Sequence, residues 1–301
     1  MQVNDNLIKT ITQQTVKALD INKNILPIQN QPIVQILADS ISPDGIRLTT
    51  FQCTYQRYIL AELDTHRTFS RNSRSSRATP ITKNIEQIQT NPWGPVSWTT
   101  NQPGMVGGQE LDKNHQQLAE YVWSNAAKMS AVYAQLLDKL NVHKQITNRL
   151  LEPFMKVDTV VSATDKAWKH FFKLRCAPNA QPEMQALANA IKQAYDNSVP
   201  IPVDYNEFHL PYISADEKES IDIPTLLKIS AARCARVSYT CFDGSTNIQK
   251  DIDLFDRLVN DGHFSPLEHV ATPADKSSYI LSNFEGWNQL RKQFSSEYSY
   301  D

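Results

Sequence analysis

The chain has 301 residues, 41% of them hydrophobic, enough to bury a sizeable core and to exclude disorder as the overall state. Its 30 basic and 32 acidic residues leave a formal charge of -2, so no global field gathers nucleic acid or an anionic membrane. Four cysteines (Cys53, Cys176, Cys234, Cys241) with no C-x-x-C pair do not make a disulfide framework, and no apolar run approaches the roughly 20 residues that span a bilayer. The N-terminus lacks the basic-then-apolar order of a signal peptide, so a soluble protein of the reducing cytoplasm is expected.

Residues 1–30 are polar, rich in Asn and Gln, and read as an N-terminal arm. Residues 33–60, "IVQILADSISPDGIRLTTFQCTYQRYIL", place β-branched and aromatic residues in partial alternation around Ser-Pro-Asp-Gly, which predicts a β-hairpin. Residues 80–108 hold four prolines and four glycines and read as a long irregular stretch. From Glu110 to Asn141 the positions Leu111, Leu118, Val122, Met129, Val132, Leu136 and Leu140 recur at helical spacing and predict a long amphipathic helix. Further helices are expected at "VHKQITNRLLEP", ended by Pro153, at "DKAWKHFFKLR" and at "QPEMQALANAIKQAYDNS", so the middle of the chain reads as mainly helical. A last region runs from Pro224 through "KISAARCARVSYT" and a helix "KDIDLFDRLVNDG" to "HFSPLEHVATP". There is no internal repeat or low-complexity tract, and one mixed α/β domain with helical insertions fits residues 31–301 better than two independent domains.

The candidate site is "ELDTHRTFSRNSRSSRATP", residues 62–80. Arginine offers a planar fork of donors matched to phosphate, and serine hydroxyls complete a phosphate shell. Composition alone reads this stretch equally as a solvated basic loop, or as a phosphate-contacting loop of a nucleic-acid-binding protein. Its position directly after the apolar "TYQRYILAEL" anchors it at a structured edge. In "GHFSPLEH", His263, Glu268 and His269 do not have H-E-x-x-H spacing, and Ser-Pro points instead to a helix start with Ser265 near the cap.

The register of His66, Arg67, Ser70, Asn72, Ser75 and Arg77 resembles the signature of flavin-dependent thymidylate synthases, R-H-R followed by S-x-N-x-x-S-x-R. In that family the H-R part contacts the flavin and the S-x-R end holds the phosphate of deoxyuridine monophosphate (dUMP). The resemblance extends to "EPFMKVDTVVSATDKAWKHFFKLR", with Arg149 on a nucleotide-binding arginine and Arg175 on the arginine that reads the pyrimidine, and to "NAQPEMQALANAI". "ARVSY" (235–239) and "DIDLFDRLVNDGHFSPLEH" (251–269) also match, but family members carry them before the arginine signature, so the order here is that of a circular permutation. The family's fold implies a central, mostly antiparallel sheet with helical insertions, built from a signature and nucleotide-binding part (31–200) and the permuted segment (224–301).

The resemblance implies a substrate set of Glu62, Ser73, Arg74, Ser75, Ser76, Arg77, Arg149 and Arg175, with Arg175 and Ser75 closest to the chemistry. It implies a flavin set of His66, Arg67, Asn72, Thr164, Lys166, His170, His263 and Ser265, with Glu268 mainly structural and no metal. The implied reaction transfers one carbon from methylenetetrahydrofolate to C5 of dUMP, with FAD as cofactor and NADPH as reductant, in a homotetramer that binds neither membrane nor nucleic acid. Departures cluster around the flavin and the base. Thr65 replaces the first arginine of R-H-R, with Arg71 or Arg74 as substitutes, and Ser73 stands at a usual glutamate and Glu62 at a usual glutamine. Thr164, Lys166 and His170 stand at positions usually Asn, Arg and Asn. A related C5 modification, hydroxymethylation or one acting on dCMP, is the alternative these changes raise. None of the four cysteines has a recognisable nucleophilic setting in sequence.

Overall fold

The computed structural model describes residues 26–238, 247–275 and 283–294; most of the N-terminal arm and the last seven residues lie outside this range. Strands β1 (Ile33–Ile41) and β2 (Arg47–Gln56) form the hairpin expected around Ser42-Pro43-Asp44-Gly45. Gly45 takes φ +78°, a left-handed backbone that favours glycine, and its N–H donates to the Ser42 carbonyl at 2.9 Å. A 3-10 turn (Arg57–Ile59), helix α1 (Leu60–Asp64) and strand β3 (Ser70–Ser73) follow, so the Arg/Ser stretch is built into the fold.

Helix α2 (Ile81–Thr90) starts after Pro80, inside the stretch read as irregular. It carries an apolar stripe, Ile81, Ile85 and Ile88, hidden among the flanking prolines and glycines. Helix α3 (Lys113–Lys139) begins at Asp112, whose carboxylate accepts from the N–H groups of Asn114 and His115, and ends within two residues of the boundary expected. Its buried face matches the stripe read in sequence only in part: Val132 is buried and Leu111, Met129 and Leu136 are half-buried. Ala127, Ala131 and Ala134 pack against α2, while Leu118, Val122 and Leu140 are exposed. Where one helix was expected up to Pro153 there is a single α-turn, α4 (Lys144–Thr147), and two 3-10 turns.

Strand β4 (Lys156–Thr164) then crosses the molecule, followed by α5 (Asp165–Arg175), α6 (Pro182–Asp196) and the two-residue β5 (Ile201–Pro202). The C-terminal part comprises α7 (Ala215–Ser220), α8 (Ile223–Arg236), α9 (Ile248–Asn260), a 3-10 turn at Ser265–His269, and the paired strands β6 (Ala271–Pro273) and β7 (Trp287–Gln289). Phe264 takes the cap position of that turn and Ser265 its first residue.

The main sheet has the order β3-β4-β2-β1-β5 and is antiparallel except for the β1–β5 pair. The mostly antiparallel central sheet implied by the family resemblance is therefore present. β4 is central and lies in the region read as mainly helical; being buried on both faces, it lacks the alternation that marks a half-exposed strand. One face of the sheet buries Phe51, Tyr55, Val157 and Val161 against Trp168, Phe171, Leu187 and Ile191 of α5 and α6. The other presents Val160 to Cys234 and Val237, beside the polar side chains of Thr50 and Ser162. The C-terminal segment docks on this polar face. Among the described residues no helix is long and apolar enough to cross a membrane.

Candidate active site

β3 lies at the edge of the sheet, with Ser70 opposite Ser162 and Ser73 opposite Thr159, and this fixes the direction of the signature side chains. His66 and Arg67 precede the strand on the turn out of α1. His66 is buried against Phe69 and Phe171, at ring separations of 5.5 and 4.8 Å. Arg175, at the end of α5, donates from Nε to His66 Nε2 (2.9 Å) and from Nη2 to the Thr65 hydroxyl (3.2 Å). The acceptor role of Nε2 leaves the His66 proton on Nδ1. Burial, then Arg175, His170 and Arg71, lower His66 to about 4, so it is neutral near pH 7. Thr65 thus holds Arg175 where the family resemblance gives another arginine.

Arg71 and Arg74 are not loose cations. Arg71 Nη1 donates to the carbonyls of Leu63 (3.2 Å) and His66 (3.0 Å), and its Nε lies 3.3 Å from Asp64. Arg74 pairs with the buried Asp158 (3.3 Å) and donates to Thr79 (3.2 Å). Both are tied into the turn and do not stand in as free replacements for the missing arginine. Arg67 is exposed and lines a cleft of about 490 Å3 with Ala61, Asp64, Thr65, Arg71 and Ser73. The Ser73 hydroxyl shares a hydrogen bond with Thr159 (3.0 Å). Glu62, on α1, is half-buried, with Oε2 buried and unpartnered among the described residues.

The C-terminal end of the signature is a turn. The Ser75 N–H donates to the Ser238 carbonyl (3.1 Å), which brings the matched "ARVS" residues of the C-terminal part onto the signature. Arg77 is exposed, and neither its guanidinium nor the Ser75 hydroxyl has a partner among the described residues. The Ser76 hydroxyl donates to Glu152 (2.6 Å), which also accepts from Arg149 Nη1 at 2.9 and 3.1 Å and lies 3.2 Å from Arg57 Nε. Burial alone would raise the Glu152 carboxyl, but Ser76, Arg57 and Arg149 outweigh it and hold it below its ordinary value.

On the other side of α5, Thr164, Lys166, Ala167 and His170 line a cavity of about 640 Å3 together with Thr68, Asn283 and Glu285. Lys166 is exposed and pairs with Glu285 (2.8 Å). Asn283 donates to the Thr68 carbonyl (3.1 Å) and to the Ser70 hydroxyl (2.9 Å). The three residues read at substituted family positions therefore share one wall.

The out-of-order segment meets β3 directly. Satisfying both ends of the Asn72 amide puts its nitrogen on His269 Nε2 (2.9 Å) and the Ser265 carbonyl (3.1 Å), and its oxygen under the Ser265 hydroxyl (3.2 Å). The Ser70 hydroxyl donates to Glu268 (2.5 Å) and accepts from Gln289 (3.1 Å), while Arg291 pairs with Glu268 on its other side. His263 is exposed on the same segment, and its backbone N–H closes the end of α9 on Leu258 (2.8 Å). His263 and His269 do not converge with Glu268 as ligands would. One is exposed, and the other is fully buried against Asn72 and Ser162.

Behind His269 runs a buried hydrogen-bond chain that sequence reading missed. His269 Nδ1 meets Ser162 (2.7 Å), Ser162 meets Thr50 (2.5 Å), Thr50 meets His209 Nε2 (2.7 Å), and His209 Nδ1 meets Ser40 (2.8 Å). It crosses β4, β2 and β1 in turn. Both histidines are held neutral at about 3, chiefly by burial. Glu152, Asn283, Gln289 and Arg291 were missed as well; each acts across a large sequence separation or on a residue with no local pattern. The acidic "LLEP" following Arg149 was the only available hint for Glu152.

A family model described as thymidylate synthase complementing protein matches residues 47–201, just over half of the chain. No curated protein matches the chain significantly. Among solved structures, a UMP/dUMP methylase PolB from Streptomyces cacaoi bound with 5-Br UMP is similar over 57% of this chain and 92% of that one, at 16% identity and a TM-score of 0.48. The flavin-dependent thymidylate synthase ThyX from Helicobacter pylori complexed with FAD and dUMP is similar over 49% of this chain and 67% of that one, at 19% identity and a TM-score of 0.35.

Proposed function

We propose that this chain, which belongs to the thymidylate synthase complementing protein family, is a flavin-dependent enzyme that modifies C5 of a pyrimidine nucleotide, with reductive methylation of dUMP to thymidylate as its reaction. The observation that carries the reading is the seam between β3 and residues 265–269: Asn72 meets Ser265 and His269, and Ser70 meets Glu268. Two segments that resemble parts of one site, in an order unlike the family's, are packed side by side. This supports a permuted arrangement within a single unit spanning residues 31–301.

The residues present fit a flavin. A cavity of about 640 Å3 is in the range of cofactor sites, Lys166 brings to its wall a cation that a pyrophosphate would have to share with Glu285, and the neutral His66 closes the neighbouring turn. His66, Arg67, Asn72, Thr164, Lys166, His170, His263 and Ser265 would hold it, and when bound it supplies hydride chemistry. The chain's own contribution is binding and polarisation. Arg77, Arg149 and the Ser75 hydroxyl hold the phosphate through charge-assisted hydrogen bonds. Arg175, fixed by His66 and Thr65 through Nε and Nη2, keeps Nη1 to stabilise negative charge developing on the pyrimidine. Glu62, Ser73, Arg74 and Ser76 line or brace this substrate side. Cys53 and Cys234 are buried, and their thiols and that of the half-buried Cys176 are pushed up by desolvation; among the described residues this supports a route without a cysteine nucleophile, Cys241 lying outside them.

The inward ties of Arg71 and Arg74 speak against a nucleic-acid loop, because they break the exposed basic strip such a loop needs. The exposed Leu118, Val122 and Tyr133 of α3, with Leu140 at its C-cap, support a homo-oligomer, a homotetramer on the family pattern. A second reading, hydroxymethylation or action on dCMP, is favoured by Ser73, whose hydroxyl binds Thr159 where the family resemblance gives a glutamate. Mass spectrometry of the product formed from dUMP or dCMP with methylenetetrahydrofolate and NADPH separates the two. Thymidylate from dUMP is expected; a hydroxymethyl product, or turnover of dCMP alone, replaces the first reading with the second, and no product from either nucleotide contradicts both.

A further inference from the structure

We propose that Glu152 is the positioning residue of the phosphate subsite, holding Arg149 and the signature turn in the arrangement that accepts a phosphomonoester. The inference rests on the nucleotide reading above and adds to it a residue from outside the signature. Donors from three separate segments converge on the Glu152 carboxylate: Ser76 Oγ at 2.6 Å, Arg149 Nη1 at 2.9 and 3.1 Å, and Arg57 Nε at 3.2 Å. Arg57 in turn donates from Nη1 to the Arg74 carbonyl (3.0 Å), so the same hub also grips the backbone of the turn.

The geometry distinguishes this from an ordinary surface pair. An exposed ion pair three residues apart contributes little and leaves both side chains mobile. The Glu152 side chain is only 25% exposed and bound from three directions, whereas Arg149 is 55% exposed and has no other partner among the described residues. Both contacts to Arg149 use one nitrogen, Nη1, so Nε and Nη2 stay available to an oxyanion. A rigid anchor thus aims a long, otherwise free guanidinium, and the Ser76 bond ties that aim to the turn carrying Ser75 and Arg77.

The sign of the effect tests the idea, because a carboxylate beside a phosphate opposes binding unless its role is to position donors. Affinity for dUMP is measured by calorimetry for the full chain and for Glu152→Ala, Arg149→Ala and the double variant. About tenfold weaker binding is expected for Glu152→Ala, with the double variant losing clearly less than the sum of the two single losses, since Glu152 acts partly through Arg149 and partly through the turn. Glu152→Gln keeps an acceptor for Ser76 and is expected to lose several-fold in affinity with an unchanged thermal midpoint; it decides the matter if Glu152→Ala does not fold. Unchanged or tighter dUMP binding in the Glu152 variants, or losses that add in the double variant, overturns the positioning role. If the wild-type chain binds no dUMP, the nucleotide reading itself fails and this inference with it.

Discussion

Arg77 stands exposed at the end of the signature turn with no partner among the described residues, whereas Arg74, three residues earlier, is tied to Asp158 and Thr79. A free guanidinium beside an unengaged Ser75 hydroxyl is what a phosphate subsite needs before its ligand arrives. Arg77→Ala should therefore weaken dUMP binding about 10- to 100-fold, the loss of one charge-assisted hydrogen bond, while flavin retention changes little. Fluorescence titration of both ligands checks this, and equal losses of nucleotide and flavin would contradict the assignment. Which arginines are candidates for the site could be read from register alone, because a spaced motif is a property of residue identity. Which were free could not. Arg71 and Arg74 look identical to Arg77 in sequence, and only the carbonyls of Leu63 and His66 and the carboxylate of Asp158, brought in by the fold, separate them.

The element that carries the candidate site is β3, four residues long, braced on one side by β4 and on the other by the Ser265–His269 turn. A strand this short has little pairing of its own, so side-chain contacts to the turn set much of its position. His269→Ala would take one buried hydrogen bond each from the Asn72 amide and the Ser162 hydroxyl and leave a cavity between them. It should cost about 2–4 kcal/mol, read as a shift in the urea midpoint, and a loss below about 1 kcal/mol would contradict the bracing role. The hairpin of β1 and β2 was legible because Ser-Pro-Asp-Gly has turn chemistry of its own, and α3, α5, α6 and α9 because their apolar positions repeat at helical period. β4 was not, since burial on both faces erases alternation, and α2 was masked by the prolines and glycines around it. The face α3 buries was misjudged in part for a related reason. Three alanines make its contact with α2, and small residues weigh little in a pattern built on large ones.

Across the whole molecule, three neutral histidines are buried in or behind the site: His66 at about 4 and His209 and His269 at about 3, each lowered chiefly by desolvation. The unfolded chain takes up protons near the ordinary histidine value of 6.5, and the folded chain does not until well below it. Their contribution to stability is therefore complete above pH 6.5 and is lost as the pH falls from there toward 4, at up to about 1.4 kcal/mol per pH unit for each histidine. The thermal midpoint should drop between pH 7 and pH 5; a flat profile would mean that these imidazoles are not held neutral. The same architecture places the signature strand, the Lys166 cavity and the out-of-order segment on one edge of the sheet, and the central claim is that this edge is a flavin and nucleotide site. Its most direct test is the absorption spectrum of the purified chain before and after loading with FAD. A yellow protein with flavin bands, releasing FAD on denaturation, is expected; a colourless protein that cannot be loaded with FAD, and that binds nucleic acid in a strongly salt-dependent way, would contradict it.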